Sequence, residues 1–288
     1  MRLEQLTDYF FQSGSCDTKE LKKQYIYSKE KKEEKSMNYN LNNPIAERKT
    51  KTVYKDGDKT IKLFVENYSK SDILNEALNQ ARVEEGTDLN IPKLLEVTTI
   101  NNRWALVSEY VEGTTIAELM EQHPEKVDEY LNWFVDIQLY ILSKTVPHLN
   151  RIKEKYKNRI NKLDLTDNAK YELLARLDGM KDHTKLCHGD YNPTNVVIKA
   201  DGTAAILDWS HVTIGNASAD AANTYMMFIM DGKNELAEKY LEVFSKKSSI
   251  NKNLVQRWIP IVAASRKAKG RPEEQEMLDK WIDVVDYT

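Results

Sequence analysis

The chain has 288 residues, 41% of them hydrophobic and 30% charged, with a formal net charge of −3. That length exceeds one typical core and predicts a two-lobed unit or two domains, and the composition is that of an ordinary globular protein. The slight acidity argues against nucleic acid as an obligatory partner, no apolar run reaches the roughly 18 residues of a membrane span, and two cysteines, Cys16 and Cys187, in no CxxC spacing, fit a reducing cytoplasm.

In chain order, the first segment is the least core-like. It opens MRLEQLTDYFFQSG, with Glu4 and Asp8 where a secretion signal would be basic and then apolar. It continues into the mixed-charge run SKEKKEEKS at 28–36, which has no apolar face and reads as a solvated extension. Residues 1–37 are therefore expected to be a charged extension, with Met37 the native first residue.

From Asn38 to Ser108 the pattern is that of a small sheet lobe. KTVYK at 51–55 and KTIKLFV at 59–65 flank Asp56-Gly57, a hairpin signal. With those two as the turn, Lys62 lies opposite Lys51, and Lys62 and Phe64 share the face away from Ile61, Leu63 and Val65. The preceding loop, PIAERKTKTVY, has no glycine. Residues 69–85 read as a helix: Ser69 and Asp72 have capping-box spacing, and Ile73, Leu74, Ala77, Leu78 and Ala81 form an apolar stripe, with Glu76 off its centre. Two further strands, through Val97 and from Arg103 to Ser108, are joined by Asn101-Asn102.

After EYVEG at 109–113 the chain becomes helical. Thr115 and Glu118 form a second capping-box start. Residues 127–142, 151–163, 166–180, 217–230, 234–247 and 253–287 read as helices broken by Gly, Pro or Ser. Trp133, Trp258 and Trp281 are expected in packing roles. Glu273, Glu274, Glu276 and Asp279 form an acidic run that is ordinarily just a solvated helix face. No HxxxH or HExxH spacing points to zinc. Cys187 and His188, adjacent on a strand, would point to opposite faces rather than pair as nucleophile and base.

The most informative stretch is CHGDYNPTNVVIKADGTAAILDW, residues 187–209. Two short apolar runs, Val196 to Lys199 and Ala204 to Leu207, flank a second Asp-Gly signal. With Asp201 and Gly202 as the central turn residues, Asn195 faces Asp208, about 4.5–5.5 Å away at Cα. A carboxylate and an amide oxygen so placed suit Mg²⁺, which takes oxygen ligands and keeps waters and phosphates besides. An arbitrary hairpin also carries polar residues at its base; the preceding HGD distinguishes this one.

HGDxxxxN followed by LDW resembles the catalytic and metal loops of the aminoglycoside phosphotransferase-like kinases, small-molecule kinases of the protein-kinase-like fold. The resemblance implies an α+β, two-lobed protein: a nucleotide-binding N-lobe of antiparallel sheet and one helix (38–108), a hinge (109–113), and a larger, mainly helical C-lobe (114–288). It implies that Asp190 accepts the acceptor's hydroxyl proton and that Asn195 and Asp208 hold Mg²⁺. Lys62 would contact nucleotide phosphates, oriented by Glu76, and the backbone of Glu109 and Val111 would bind the purine edge. Asp220 would bond the catalytic-loop backbone from within a helix. The expected reaction is transfer of the γ-phosphate of ATP or GTP to a hydroxyl of a small molecule such as an aminoglycoside, choline-like amine, sugar or amino alcohol. The glycine-free loop keeps open a catalytically weak nucleotide-binding protein of the same fold, and a protein kinase is the other alternative. Neither the acceptor nor the oligomeric state is legible.

Overall fold

The structure, a computed structural model, describes residues 39–282. The expected extension at 1–37, the start at Met37, Cys16 and the last residues of the expected C-terminal helix lie outside the described residues. Of the described residues, those from Pro44 onward form one compact unit. Its first part is a five-stranded antiparallel sheet, order β1-β2-β3-β5-β4, built from β1 (Pro44–Arg48), β2 (Lys51–Asp56), β3 (Lys59–Phe64), β4 (Leu94–Ile100) and β5 (Arg103–Glu109). Helix α1 (Lys70–Gly86) joins β3 to β4, and Ser69 caps it by accepting the Asp72 N–H.

Turn chemistry sets the registers. Between β4 and β5, Asn101 and Asn102 are both left-handed (φ 50° and 61°), the conformation a two-residue type I′ turn requires. Between β2 and β3 the turn residues are Gly57, at φ 58°, and Asp58, so Lys62 pairs with Val53 and Lys51 with Phe64. The expected Lys62–Lys51 pairing is corrected by two positions. A two-residue slip preserves the face, so both lysines still share one side of the sheet.

The buried side of α1 also differs from expectation. Leu74 and Leu78 are exposed, whereas Ile73, Glu76, Ala77, Gln80 and Val83 face inward. The helix is turned to present Glu76 to the sheet, at the expense of two leucines.

The remainder is mainly helical: α2 (Ile116–Gln122), α3 (Val127–Leu142), α4 (Ile152–Asn161), α5 (Asp167–Asp178), α6 (Ala217–Met230), α7 (Asn234–Ser248), α8 (Lys252–Gln256), α9 (Ile259–Lys267) and α10 (Pro272–Ile282). Thr115 and Glu118 form the predicted capping box at the start of α2. The C-terminal helical stretch is divided into three, since Pro260 suits the first turn of α9 and Gly270, at φ 67°, ends the turn before α10. Short strands β6 (Thr114–Thr115), β8 (Val196–Ile198) and β9 (Ala204–Ile206) form one small sheet, and β7 (Lys185–Cys187) pairs with β10 (Thr213–Gly215). Gly113, at φ 152°, lies so close to β8 that a Cβ there would sit 2.4 Å from the Ile198 carbonyl oxygen.

Helix α6 is buried nearly all round, as its alanines allow, and holds Asp220, Asn223 and Thr224 inside the core. Phe134 of α3 stacks on Tyr191 at 4.3 Å, and the Tyr191 hydroxyl donates to the Phe134 carbonyl at 2.7 Å. Trp258 is buried, Trp281 packs against the core, and Trp133, 41% exposed, packs edge-on against Tyr130 at 5.4 Å.

Candidate active site

Four charged side chains meet where the sheet faces the helical part. Lys62 Nζ lies 2.7 Å from Glu76 Oε1 and 3.1 Å from Asp208 Oδ1. Lys51 Nζ lies 3.2 Å from the other Asp208 oxygen and 3.9 Å from Glu76. Burial opposes the Lys62 charge, but the carboxylates of Asp208 and Glu76 outweigh it and hold the ammonium above the ordinary lysine range. Burial likewise opposes ionisation of Asp208, and the Lys62 and Lys51 ammoniums reverse that, holding the carboxyl well below its usual range. The expected Lys62–Glu76 contact is thus formed. The Lys51–Asp208 contact was not foreseen, although both lysines had been placed on one face.

The second hairpin closes one residue differently from expectation. Lys199 N–H donates to the Thr203 carbonyl and Gly202 N–H to the Lys199 carbonyl, giving a three-residue loop with Gly202 at φ 81°. Val196 therefore pairs with Ile206, and Leu207 N–H donates to the Asn195 carbonyl at 2.8 Å. Asn195 lies across from Leu207, not Asp208. Asp208 sits one residue beyond the ladder in a left-handed conformation (φ 58°, ψ 69°), uncommon for a residue with a Cβ, and from there its carboxylate meets the two lysines.

Asp190 and Asn195 are joined directly. The Asn195 amide nitrogen donates to the Asp190 carbonyl at 2.9 Å and lies 3.5 Å from its carboxylate. His188 links this loop to the hairpin, since its Nδ1 accepts the Asp190 N–H and its Nε2 meets the Leu207 carbonyl at 2.9 Å. That pair of contacts assigns the ring proton to Nε2. Gly189, at φ 77°, donates its N–H to Asp220 at 2.8 Å and accepts from Asn223 at 3.1 Å. Asp220 thus bonds the loop backbone as anticipated, and its own carboxyl is raised by burial. Cys187 is buried and its thiol is pushed up by that burial, which suits packing rather than nucleophilic chemistry.

Glu109 ends β5, and Val111 follows it at the crossing between the two parts. Tyr110 N–H bonds the Asp58 carbonyl at 2.7 Å, and Glu109 N–H bonds the Lys93 carbonyl at 3.0 Å.

Cations beside Asp190 carried no expectation. Lys155 and Arg159, one turn apart on α4, line a cleft with Arg266, Lys269, Thr213 and Gly189. Their one-face spacing on a helix was the available signal.

The chain matches the phosphotransferase enzyme family over residues 66–250. It belongs to that family. Among solved structures it is similar to the aminoglycoside phosphotransferase APH(4)-Ia in a thermostable mutant form, with 13% identity over 84% of this chain and 92% of that one and a TM-score of 0.62. A ternary complex of a variant of that mutant with AMP-PNP and hygromycin B gives 15% identity, the same coverages and a TM-score of 0.61. LicA in complex with AMP gives 13% identity, coverages of 89% and 98%, and a TM-score of 0.58. At such identities the likeness establishes the fold, the two-lobed α+β architecture of these kinases. No curated protein matches the chain. As a family member the chain is a small-molecule phosphotransferase. No helix among the described residues is long and apolar enough to cross a membrane.

Proposed function

We propose that this phosphotransferase moves the γ-phosphate of ATP or GTP onto a hydroxyl of a small molecule. The observation that carries the proposal is the Lys62–Glu76–Asp208 network, linked through Leu207 to the loop bearing Asp190 and Asn195. Phosphoryl transfer needs little covalent help from protein and depends on positioning and charge. Lys62, braced by Glu76, and Lys51 beside it offer ammoniums to the nucleotide phosphates. Glu109 offers its backbone carbonyl and Val111 its backbone groups to the purine, the Glu109 N–H being taken by Lys93 and the Tyr110 N–H by Asp58. The ternary and AMP complexes of similar proteins support a nucleotide donor.

The donor set fits Mg²⁺. Asp208 supplies an ionised carboxylate, and Asn195, with its amide nitrogen turned to Asp190, has its oxygen directed elsewhere. These two would hold the ion, with phosphates and water completing its oxygen shell. When bound, it would neutralise charge on the transferring phosphoryl group. Asp190 orients the acceptor hydroxyl and takes its proton, while the Asn195 amide fixes the loop that carries it.

A small acceptor is favoured over a protein. After Asp208 the chain reaches β10 by Thr213 and α6 by Ala217, with no extended segment on which a peptide would lie. The test is Asp190→Ala, assayed against a panel of hydroxyl compounds with Mg²⁺ and ATP or GTP. Turnover should fall about 10²–10⁴-fold with nucleotide affinity retained. Near-native turnover would overturn the role of Asp190.

A further inference from the structure

We propose that the acceptor is an anion: a small hydroxyl compound whose carboxylate or phosphate group is held by Lys155, Arg159, Arg266 and Lys269. The proposal rests on the phosphotransferase reading above and names the class of molecule that the site takes. The cleft lies between α4, α9 and the catalytic loop. Gly189, next to Asp190, forms part of its wall, so a molecule held there lies beside the proposed base.

The cations of this cleft have mostly neutral partners. Lys155 Nζ donates to the His211 carbonyl at 2.7 Å, Lys269 Nζ meets His211 Nε2 at 3.3 Å, and Arg159 donates to Ser265 Oγ at 3.1 Å. Arg266 reaches Glu274 at 3.5 Å, but the same carboxylate oxygen is 2.8 Å from Arg271. The nearby acids Asp190, Asp220 and Glu274 therefore stand against five cations. Two buried polar atoms in the wall, Arg266 Nε and Thr213 Oγ1, have no hydrogen-bond partner among the described residues. Unsatisfied buried donors are costly, and an oxyanion supplies acceptors for them.

The electrostatics agree with the geometry. Burial, then Arg159 and Lys269, push Lys155 down to about 7, against Asp190 and Asp220. Burial pushes Lys269 down to about 8, Asp190 opposing and Arg266, Arg159 and Arg271 adding to the shift. His211 is held well below its usual range by burial and by the charges of Lys269, Lys155 and Arg159. An arriving anion relieves this crowding of positive charge. A polyamine such as an aminoglycoside would add to it. The acidic run of α10 offers an amine little in compensation, because Glu274 is shared by Arg271 and Arg266, Glu276 pairs with Lys280 at 3.3 Å, and Asp279 pairs with Lys267.

The test uses the full chain saturated with AMP-PNP and Mg²⁺ and titrated with glycerate, glycerol 3-phosphate, glycerol and choline. At least one anion should bind about tenfold or more tightly than glycerol or choline, and the two anions distinguish a carboxylate from a phosphate site. Lys155→Gln with Lys269→Gln should remove that preference. Lys155→Arg with Lys269→Arg, which keeps the charge, should retain it and so controls for folding. Choline or glycerol binding as tightly as the anions, anion affinity unchanged by the glutamine pair, or no binding by either anion would each overturn the proposal. So would anion binding that AMP-PNP abolishes, since the cluster would then belong to the nucleotide phosphates. Failure of AMP-PNP itself to bind would count against the phosphotransferase reading instead. Repeating the anion titrations without nucleotide would still decide the charge preference of the cleft.

Discussion

The two sides of the proposed reaction centre are both rich in lysine, yet their lysines are treated in opposite ways. On the sheet side, Lys62 lies between Glu76 and Asp208 and is held above the ordinary lysine range. On the helical side, Lys155 and Lys269 rest on a carbonyl and an imidazole and fall to about 7 and about 8. Burial lowers all three, so the difference is made by the carboxylates that contact Lys62 and by the neighbouring cations that crowd Lys155 and Lys269. A compensated cation holds its place before any ligand arrives; a cluster short of carboxylates has its compensation still to come from a ligand.

The largest test of this contrast is Lys62→Met, which leaves Asp208 and Glu76 to share Lys51. We expect kcat/KM to fall about 10²–10³-fold, mainly through nucleotide affinity, while anion binding at the other side is retained; calorimetric titration of each ligand separates the two. Gly189→Ala should act in reverse. Its φ of 77° disfavours a side chain, and a Cβ would lie 2.3 Å from the His211 carbonyl oxygen that Lys155 bonds. A stability loss of about 1–3 kcal/mol in urea unfolding is expected, with weaker anion binding and near-native nucleotide affinity.

The smallest expected effect is with pH. Lys155 and Lys269 are charged below their values of about 7 and about 8, so anion affinity should fall as pH rises through that interval. The guanidiniums of Arg159, Arg266 and Arg271 crowd the same lysines, and Asp190 and Asp220 stand opposite. Roughly tenfold weakening is the expected scale. Nucleotide affinity should gain no matching dependence from Lys62 or Asp208, which titrate above and below this interval. Equal pH slopes for the two ligands would remove the contrast.

The sheet side was the more legible from sequence. Lys62, Glu76, Asp190, Asn195 and Asp208 stand in motifs whose spacing along the chain is characteristic, and the hairpins and capping boxes that carry them are local signals. Registers were less secure, because Asp-Gly marks a turn without saying which two residues occupy its centre. Gly57 with Asp58 moved the first hairpin by two residues and kept the lysines on their face. The three-residue loop at 200–202 moved the second by one and took Asn195 away from Asp208. The helical side was nearly illegible. Lys155 and Arg159 are far in sequence from Arg266 and Lys269, and only tertiary packing gathers them. For α1, the stripe with Leu74 and Leu78 was misleading, because the inward face runs through Ile73, Glu76, Ala77, Gln80 and Val83 and leaves both leucines exposed.

Gly113 fixes where the molecule can bend. On one flank Glu109 and Tyr110 are tied to Lys93 and Asp58, and on the other Thr114 and Thr115 are stitched into β8. Gly113 is pressed against Ile198 with no space for a methyl group. Torsional freedom along this crossing is thereby confined to Val111, Glu112 and Gly113. Beside this joint the two parts are also tied through space, by Lys62 and Lys51 on Asp208 and by the Ile206 N–H on the Asn90 carbonyl.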